Sequence, residues 1–360
     1  MSASLDRFHA VIPAGGVGAR LWPLSRADSP KFLHNLSGQG ATLIQETVTR
    51  VRPLVGDRVL VVTGARHAQE VRAQVPDLGA QDVLIEPTPR DSMAAIGWAA
   101  AVLEARDPDA ILGSFAADHV VQGQAAFERV IGEALTLAAD NWLVTIGITP
   151  THPATGFGYI QAGRAVAGAP SARHVRQFVE KPDADHATAY LATGEFLWNA
   201  GMFVVRAGRL LDLLAREHPD FAATLRELAR EPERLAELWG QLPKIAIDHA
   251  VAEPAADERE VVVVPADFGW DDVGDFAALR TILAAPGTEP VVLGPQAMVE
   301  ALESTGLIVA DSGRTIAVLG LADIIVVDTP DAVLVTSAER AQDVKALVEH
   351  LRARGRSDVL

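Results

Sequence analysis

The sequence contains no cysteine, few aromatic residues and no long run of apolar residues. Without cysteine the chain can form no disulfide, no thiolate zinc site and no cysteine nucleophile, a composition that suits the cytoplasm. Aromatic residues make up 5% of the 360 positions, which disfavours stacking platforms for single-stranded nucleic acid. One of the longest apolar runs covers residues 93–103 and stops at Glu104, well short of a membrane span. We therefore expect a cytoplasmic protein that does not bind a membrane.

Positive charge is also scarce in this chain. It has 31 Lys and Arg residues against 47 Asp and Glu residues, which gives a formal net charge of −16. A nucleic-acid groove or an anionic membrane surface requires a broad basic face, so this balance argues against both partners. Any site that binds a phosphate must consequently be a small local cluster of cations.

What the sequence does contain is an alternation of short apolar runs and helical patterns over roughly its first 150 residues. FHAVIPA, RVLVVT and WLVTIGI have the length of buried strands, and TLIQETVTRV and AAIGWAAAVLEAR have helical spacing. This pattern predicts an α/β fold with a doubly wound sheet. From about residue 151 to 270 the rhythm changes, with GYIQAG and HVRQFVEKP as predicted strands and a helical stretch between 208 and 239. We expect this insertion to build a second wall over the sheet.

A linker rich in proline and glycine is predicted over residues 285–295, where the sequence reads APGTEPVVLGP. It separates a larger domain, residues 1–285, from a small β-rich domain, residues 296–360. The strands expected in the small domain are GLIVAD, TIAVLG, DIIVVD and AVLVTS, separated by turn residues and followed by a closing helix. This small domain is a candidate surface for forming a homodimer.

The first predicted strand ends in a glycine loop, AVIPAGGVGARLWPLS. Ala14, Gly15, Gly16 and Gly18 would let backbone N–H groups approach a phosphate without interference from side chains. The loop matches neither the dinucleotide fingerprint G-x-G-x-x-G nor a Walker loop. Two cations follow it in the chain, Arg20 and, eleven residues later, Lys31. The pattern favours a triphosphate cradle, although a plain glycine turn with two solvated cations would have the same sequence.

Further motifs follow in order: EPTPRD, AADH, TGFGYI, FVEKP, WNAGMF and WDDVGDF. Together with GG-x-G-x-R-L-W-P-L-S-R and the following Pro-Lys pair, they resemble the sugar-1-phosphate nucleotidyltransferases, most closely the mannose-1-phosphate guanylyltransferases. The resemblance covers nearly the whole chain. It implies a Rossmann-like doubly wound mixed sheet and the transfer of GMP from GTP to mannose 1-phosphate. The products would be GDP-mannose and pyrophosphate, and Mg²⁺ would be the cofactor.

The resemblance also implies roles for individual residues. The catalytic set would be Arg20, Lys31, Asp118 and Asp272, of which Asp118 and Asp272 would hold the metal. The nucleotide would contact the glycine loop (Ala14, Gly15, Gly16, Gly18), Arg20, Lys31, Glu86 and Arg90, and the sugar phosphate would contact Gly158, Glu180, Lys181 and Asn199. From the residues alone, Asp118 also reads as a helix cap and the Glu180–Lys181 pair as a charged strand end. Asp271 is the neighbour that competes with Asp272 for the metal.

Some features depart from the family pattern and leave alternatives open. Phe32 stands where the family usually has Gln, and residues 91–94 read DSMA where Asn-Thr-Ala-Pro is usual, near the implied nucleotide. The isomerase domain that some relatives carry after this region is not expected here. The alternatives are another pair of nucleotide and sugar phosphate, such as glucose 1-phosphate with UTP, dTTP or ATP, and a homologue that only senses nucleotide sugars. A Rossmann dehydrogenase is disfavoured by the broken fingerprint.

Overall fold

The computed structural model describes residues 5–360, so the first four residues of the predicted larger domain lie outside it. The chain divides into two compact units. The first unit comprises residues 5–14, 47–116 and 121–270, and the second comprises residues 15–46, 117–120 and 271–360. These units gather segments that are distant in sequence, whereas the boundary expected near residues 285–296 divides the chain along its length. That boundary stays a prediction.

The strands and helices follow the predicted alternation. In chain order the strands are β1 (Phe8–Ala14), β2 (Val59–Gly64), β3 (Val83–Glu86), β4 (Ile111–Ser114), β5 (Val120–Val121), β6 (Leu143–Ile148), β7 (Tyr159–Val166), β8 (Ala169–Val179), β9 (Phe196–Arg206), β10 (Val261–Ala266), β11 (Trp270–Asp271), β12 (Val291–Leu293), β13 (Val299–Leu302), β14 (Gly306–Ala310), β15 (Ile316–Leu319), β16 (Ile324–Asp328) and β17 (Val333–Ser337). The α-helices are α1 (Leu43–Val55), α2 (Ala68–Gln74), α3 (Asp91–Arg106), α4 (Gln124–Ala139), α5 (Ala184–Thr193), α6 (Ala207–Glu217), α7 (Pro219–Arg230), α8 (Leu235–Leu238), α9 (Glu253–Asp257), α10 (Phe276–Leu283) and α11 (Val344–Ala353).

Within the described residues of the first unit, nine strands form one mixed sheet in the order β3-β2-β1-β4-β9-β6-β10-β8-β7. β1 pairs in parallel with both β2 and β4, so the chain order reverses beside β1. In open α/β sheets such a reversal leaves a crevice at the carboxyl ends of the strands, where ligands bind. The predicted α/β class with a mixed doubly wound sheet is confirmed.

The insertion between residues 151 and 270 differs from its expected role as a second wall. Its strands belong to the main sheet: β9 lies between β4 and β6 and pairs antiparallel with both, and β8 and β7 form one edge. The helical stretch predicted between 208 and 239 begins with two helices, α6 and α7, which meet at Pro219. Proline has no amide hydrogen and is accommodated in the first turn of a helix, which explains the break.

Helix α3 forms the centre of the core on one side of this sheet. Its residues from Met93 to Ala101 are all buried, so the helix presents no polar face over that stretch. Helices α6 and α7 pack against it, and a Cβ atom placed on Gly97 would lie 2.6 Å from the Cδ1 atom of Leu225 in α7. Gly97 therefore permits the close approach of α7 to α3.

The second unit is built around a separate apolar cluster. Residues from all three of its segments contribute, including Leu21, Val120, Phe276, Ile325 and Val348. Its strands form a four-stranded sheet, β12-β14-β16-β17, and a parallel pair, β13-β15, so the chain alternates between two sheets from β12 to β16. The four strands and the closing helix expected after residue 296 are present, and β12 and β13 are additional.

No helix between residues 5 and 360 combines the length and the apolar character needed to cross a membrane.

Candidate active site

The glycine loop leaves the sheet directly after β1, at residues 15–18 of the second unit. Gly16 has a φ of 80° and Gly18 a φ of 72°, in the left-handed region that favours glycine. A Cβ atom on Gly15 or Gly16 would meet nothing within 4 Å, so this part of the loop faces open space. A Cβ atom on Gly18 would instead lie 3.1 Å from Cβ and Cγ of Lys31. Gly18 therefore allows both the turn of the loop and the close passage of the Lys31 side chain.

Arg20 lies in the short 3₁₀ helix that follows this loop, Ala19–Leu21. Its side chain is exposed and forms no hydrogen bond or ion pair with residues 5–360. Leu21 and Trp22 next to it are 1% and 7% exposed, and the Trp22 indole donates a 2.6 Å hydrogen bond to the Val359 carbonyl. The neighbours of Arg20 are thus fixed in the interior while its guanidinium remains available to a ligand.

Lys31 connects the two carboxylate segments that the sequence places far apart. Its ammonium lies 2.8 Å from Asp118 Oδ2 and donates a 2.6 Å hydrogen bond to the backbone carbonyl of Asp272. The side chains of Lys31 and Asp118 are only 13% and 21% exposed. Burial would raise the pKa of Asp118, but the charges of Lys31 and His119, together with the hydrogen bond from Lys31, outweigh it and hold that pKa below its usual value. The second unit therefore brings together Lys31, Asp118 and Asp272, with an ionised carboxylate at Asp118.

The two neighbouring aspartates at the end of β11 differ in what their carboxylates contact. Asp271 accepts a 2.7 Å hydrogen bond from the backbone N–H of Val273, and burial raises the pKa of Asp271 to about 6. The Asp272 carboxylate forms no hydrogen bond or ion pair with any described residue, and its Oδ1 atom lies 3.2 Å from the position of a Cβ atom on Gly274. Asp271 thus shapes the turn, and Asp272 has the free carboxylate.

These donors fit a hard divalent cation. Carboxylate oxygens are preferred by Mg²⁺, which keeps several waters and usually takes only one or two protein carboxylates together with substrate phosphates. No group of three or more His, Cys, Asp or Glu side chains among residues 5–360 could hold a metal alone. Asp118 and Asp272 could therefore supply two oxygen ligands, and the remaining positions would be left to water and phosphate.

In the first unit, three of the four predicted sugar residues lie together. The backbone N–H of Asn199 donates a 2.8 Å hydrogen bond to the Gly158 carbonyl, which joins the start of β7 to β9. A Cβ atom on Gly158 would lie 3.2 Å from Glu180 Oε2 and 3.6 Å from Asn199 Cβ. Lys181, the fourth residue, is exposed, and its ammonium lies 2.5 Å from Glu180 Oε1. Carboxylate, amide and ammonium groups are thus available within one small region.

A further residue of this region, Asp248, was missed by the sequence analysis. Its Oδ1 atom accepts a 2.6 Å hydrogen bond from the Asn199 amide, while the Asn199 side-chain oxygen accepts a 3.0 Å hydrogen bond from the Gly201 N–H. These two contacts fix the orientation of the amide. Burial, together with the charge of Glu180, raises the pKa of Asp248 above its usual value, although the Asn199 hydrogen bond opposes the shift. Asp248 begins a π-helical turn, Asp248–Ala252, a feature often found at functional sites.

Glu86 and Arg90, the other predicted nucleotide residues, also belong to the first unit. Glu86 ends β3 with 8% exposure, and burial raises its pKa to about 7. Arg90 donates a 2.9 Å hydrogen bond to the Leu242 carbonyl, so part of its guanidinium is engaged in holding the chain. Ser92, one of the departures from the family pattern, accepts a 3.0 Å hydrogen bond from the Ile247 N–H. The other departure, Phe32, is fully buried.

Comparisons with known proteins identify similar chains. A model of the nucleotidyl transferase family matches residues 9–287, and a model of the MannoseP isomerase/GMP-like beta-helix domain matches residues 298–351. A mannose-1-phosphate guanylyltransferase of Escherichia coli is 36% identical over 97% of this chain and 74% of its own length. The alginate biosynthesis protein AlgA of Pseudomonas aeruginosa is 34% identical over 97% of this chain and 73% of its own length.

Two solved structures extend the comparison. A Thermus thermophilus protein described as mannose-1-phosphate geranyltransferase has a TM-score of 0.85 and 31% identity, over 96% of this chain and 99% of its own. A mannose-6-phosphate isomerase from Helicobacter pylori has a TM-score of 0.60 at 23% identity, over 74% of this chain and 99% of its own. The second likeness concerns the fold alone.

Proposed function

The chain belongs to the mannose-1-phosphate guanylyltransferases of the nucleotidyl transferase family, and we propose that it transfers GMP from GTP to mannose 1-phosphate. A phosphate oxygen of mannose 1-phosphate attacks the α-phosphorus of GTP in line, GDP-mannose forms, and pyrophosphate leaves with the electron pair of the broken bond. The attacking group belongs to the substrate, so the reaction requires no nucleophilic side chain. Catalysis then consists of positioning and charge neutralisation.

The observation that supports this chemistry best is the contact of Lys31 with both Asp118 and Asp272. It brings a cation and two oxygen donors from three separate segments to one place, which suits the binding of phosphates with a hard metal ion. We propose that Asp118 and Asp272 hold Mg²⁺ there. When bound, Mg²⁺ would neutralise charge on the phosphate oxygens and help to orient them.

The remaining residues of the second unit are proposed to bind the nucleotide phosphates. The backbone of residues 14–18 would receive the triphosphate, since the loop is open and glycine-rich. Lys31 would bind the phosphate chain as a point charge. Arg20 would neutralise the departing pyrophosphate, because its guanidinium is exposed and offers a planar fork to phosphate oxygens.

The first unit is proposed to recognise the sugar and to contact the nucleotide through Glu86 and Arg90. Glu180 would accept hydrogen bonds from sugar hydroxyls, and Asn199 would both donate and accept them. Lys181 would bind the sugar phosphate, and the backbone at Gly158 would lie against the ring. Asp248 is proposed as a positioning residue, which acts by orienting the Asn199 amide.

A matrix of nucleotides and sugar phosphates tests this function. The purified chain would be assayed for pyrophosphate release with GTP, ATP, UTP and dTTP, each combined with mannose 1-phosphate or glucose 1-phosphate, and the products identified by mass. We expect the highest kcat/KM with GTP and mannose 1-phosphate, and turnover lower by orders of magnitude in an Asp272→Asn preparation. Faster turnover of glucose 1-phosphate with another nucleotide would contradict the specificity and leave the reaction class standing. Absence of turnover in every combination would indicate a sensing homologue.

Two expectations from the sequence remain proposals. We place the reaction in the cytoplasm, because a chain without cysteine suits a reducing compartment. The homodimer also stays a prediction, which sedimentation of the purified chain would test.

A further inference from the structure

A cluster of basic residues lines a cavity in the first unit, and none of these residues is assigned a role above. The cavity is open, has a volume of about 460 Å³ and is bounded by β7, β8 and the end of α9. Its lining includes Arg164 from β7, His174 and Arg176 from β8, and Arg259 just after α9. A chain with a net charge of −16 thus places three arginines and a histidine around one cavity. We call the cavity that these four residues line the arginine cavity.

Irregular backbone on two sides of the arginine cavity directs its side chains. The register between β7 and β8 shifts from Ala162 to Ala165, so Gly163 and Arg164 lie in a bulge. Bulges turn side chains away from their regular alternation and are common beside functional sites. Arg259 follows α9 with a φ of 63°, a left-handed conformation that is strained for a residue other than glycine. The Arg259 N–H donates a 2.9 Å hydrogen bond to the Ala256 carbonyl, so this conformation also closes the end of α9.

The acidic residues near the cavity leave most of its charge unbalanced. Glu258 and Glu260 flank Arg259 in sequence, but they pair with Arg216, and Glu260 also pairs with Arg209. Within residues 5–360, neither Arg164 nor Arg259 forms an ion pair or a side-chain hydrogen bond. Asp257 is the acidic residue of the lining, and Arg176 has a 3.5 Å contact with Glu195.

The surroundings of His174 support this excess of positive charge. Burial, and after it the charges of Arg164 and Arg259, lower the pKa of His174 below its usual value. The imidazole also contacts the Trp142 ring edge-to-face, with 5.4 Å between the ring centroids. A bound anion would therefore contact the unpaired guanidinium groups of Arg164 and Arg259. Its binding could be followed by the fluorescence of Trp142, which contacts His174.

We propose that the arginine cavity binds a small phosphorylated molecule. A phosphate dianion accepts two parallel hydrogen bonds from a guanidinium, and the guanidinium groups of Arg164 and Arg259 match its charge. The volume of about 460 Å³ leaves room for an organic group esterified to that phosphate. The residues of the arginine cavity belong to the first unit, and the glycine loop belongs to the second.

The two strands that carry the cavity also lead to the sugar residues. β7 begins at Tyr159, directly after Gly158, and β8 ends at Val179, directly before Glu180. A ligand bound to side chains of both β7 and β8 would restrain these two strands. We therefore expect occupation of the cavity to alter the KM for mannose 1-phosphate more than the KM for GTP, a consequence that rests on the proposed function.

Binding is tested without reference to activity. Inorganic phosphate and glycerol 3-phosphate would be titrated by calorimetry and by tryptophan fluorescence into the purified chain and into Arg164→Gln, Arg259→Gln and the control Arg129→Gln. Arg129 is a matched control, because it is an arginine of the same unit on helix α4, outside the cavity. We expect each cavity variant to bind at least about tenfold more weakly and the control to bind as the wild type does.

The outcomes separate the parts of the proposal. Tighter binding of glycerol 3-phosphate identifies an ester as the ligand class, and equal binding identifies free phosphate. Titrations that are identical in the wild type and both cavity variants would overturn the site, whether or not the chain is an enzyme. Binding that leaves the KM for mannose 1-phosphate unchanged would overturn the coupling alone. An Arg20→Ala variant that retains the cavity binding would show that the signal does not come from the glycine loop.

Discussion

At the scale of single residues, Lys31 is the point where the polar contacts of the second unit meet. It touches the Asp118 carboxylate and the Asp272 backbone, and Gly18 permits its passage. An ammonium at this place compensates the negative charge of Asp118 when no substrate is bound. Because Lys31 contacts the backbone of Asp272, the Asp272 carboxylate itself stays free to accept a metal ion.

Replacement of the aspartates tests the metal assignment. Asp118→Asn and Asp272→Asn should lower kcat by orders of magnitude and require more Mg²⁺ for the remaining turnover, because an amide lacks the charge that competes with water for the ion. Asp271→Asn should be far milder, since an amide oxygen can still accept the Val273 hydrogen bond. The measurement is the Mg²⁺ dependence of turnover. If Asp271→Asn were inactive and Asp272→Asn active, the metal ligand would be Asp271 and not Asp272.

The role of Arg20 can be separated from simple binding. A guanidinium that neutralises the departing pyrophosphate contributes more in the transition state than in the ground state, so Arg20→Ala should lower kcat more than it raises the KM for GTP. Arg20→Lys should recover only part of the rate, because an ammonium lacks the planar fork. Steady-state kinetics of both variants provides the check. If Arg20→Ala kept the wild-type kcat, Arg20 would be a solvated cation with no role in the transition state.

Burial of Glu86 should make stability depend on pH. Its pKa rises from 4.5 to about 7 on folding, so between these values the unfolded state is ionised and the folded state is not. The free energy of unfolding of the wild type therefore falls by about 3 kcal/mol in total as the pH rises from 4.5 to about 7. Above this range Glu86 is ionised in both states and causes no further change. Glu86→Gln should show no such loss. Urea unfolding of both proteins at about pH 5 and about pH 8 measures this loss of stability. An equal pH dependence of the two proteins would contradict the raised pKa of Glu86.

At the scale of elements, β9 and the π-helical turn act together. β9 carries Asn199, and the turn carries the Asp248 carboxylate that orients it. A helical turn with one extra residue shifts the side chains around it, which is a common way to direct a functional group. The sugar region therefore depends on contacts between elements as well as on its own residues.

Substitutions of Asn199 and Asp248 should affect recognition of the sugar phosphate and leave recognition of the nucleotide nearly unchanged. Asn199→Ala should raise the KM for mannose 1-phosphate about tenfold or more, since each lost hydrogen bond contributes about 1–3 kcal/mol when its partner stays buried. Asp248→Ala should have a smaller effect of the same kind, because Gly201 still holds the other side of the amide. The KM for GTP should change little in both. Equal losses for the two substrates would point to a folding defect instead.

At the scale of the whole molecule, the second unit unites the glycine loop with the last residues of the chain. Trp22 reaches the Val359 carbonyl, and the Arg26 guanidinium lies 2.5 Å from both carboxylate oxygens of Asp331. Leu21, Trp22, Val344 and Val359 also share one apolar cluster. The β-rich segment is therefore part of the framework that holds the catalytic candidates.

Loss of the chain end should consequently impair catalysis at a distance in sequence. Removal of residues 344–360 exposes the cluster beneath Leu21 and Trp22 and should abolish turnover. Trp22→Phe keeps an aromatic ring but loses the hydrogen bond to Val359, so it should lower the free energy of unfolding by about 1–2 kcal/mol. Trp142→Phe, whose indole N–H has no partner among residues 5–360, is the control. Full activity of the truncated chain would show that the loop is held without the terminal helix.

Much of the local structure could be predicted because its causes are local. The apolar run before Gly15 has the length of a buried strand, and β1 has the predicted bounds, Phe8–Ala14. The same reasoning located the four later strands and the closing helix of the β-rich segment. Side-chain alternation and helical spacing act over a few residues, so a sequence read by itself contains them.

The sequence by itself determined the α/β class, the glycine loop and the residues whose resemblance points to a nucleotidyl transfer. Only the tertiary structure decided that Lys31 contacts both Asp118 and Asp272, that Asp248 orients Asn199, and that the strands of the insertion belong to the main sheet. It also distinguished the engaged carboxylate of Asp271 from the free one of Asp272. The physical reason is that these contacts join residues far apart in the chain, and their proximity depends on strand order and packing rather than on local periodicity.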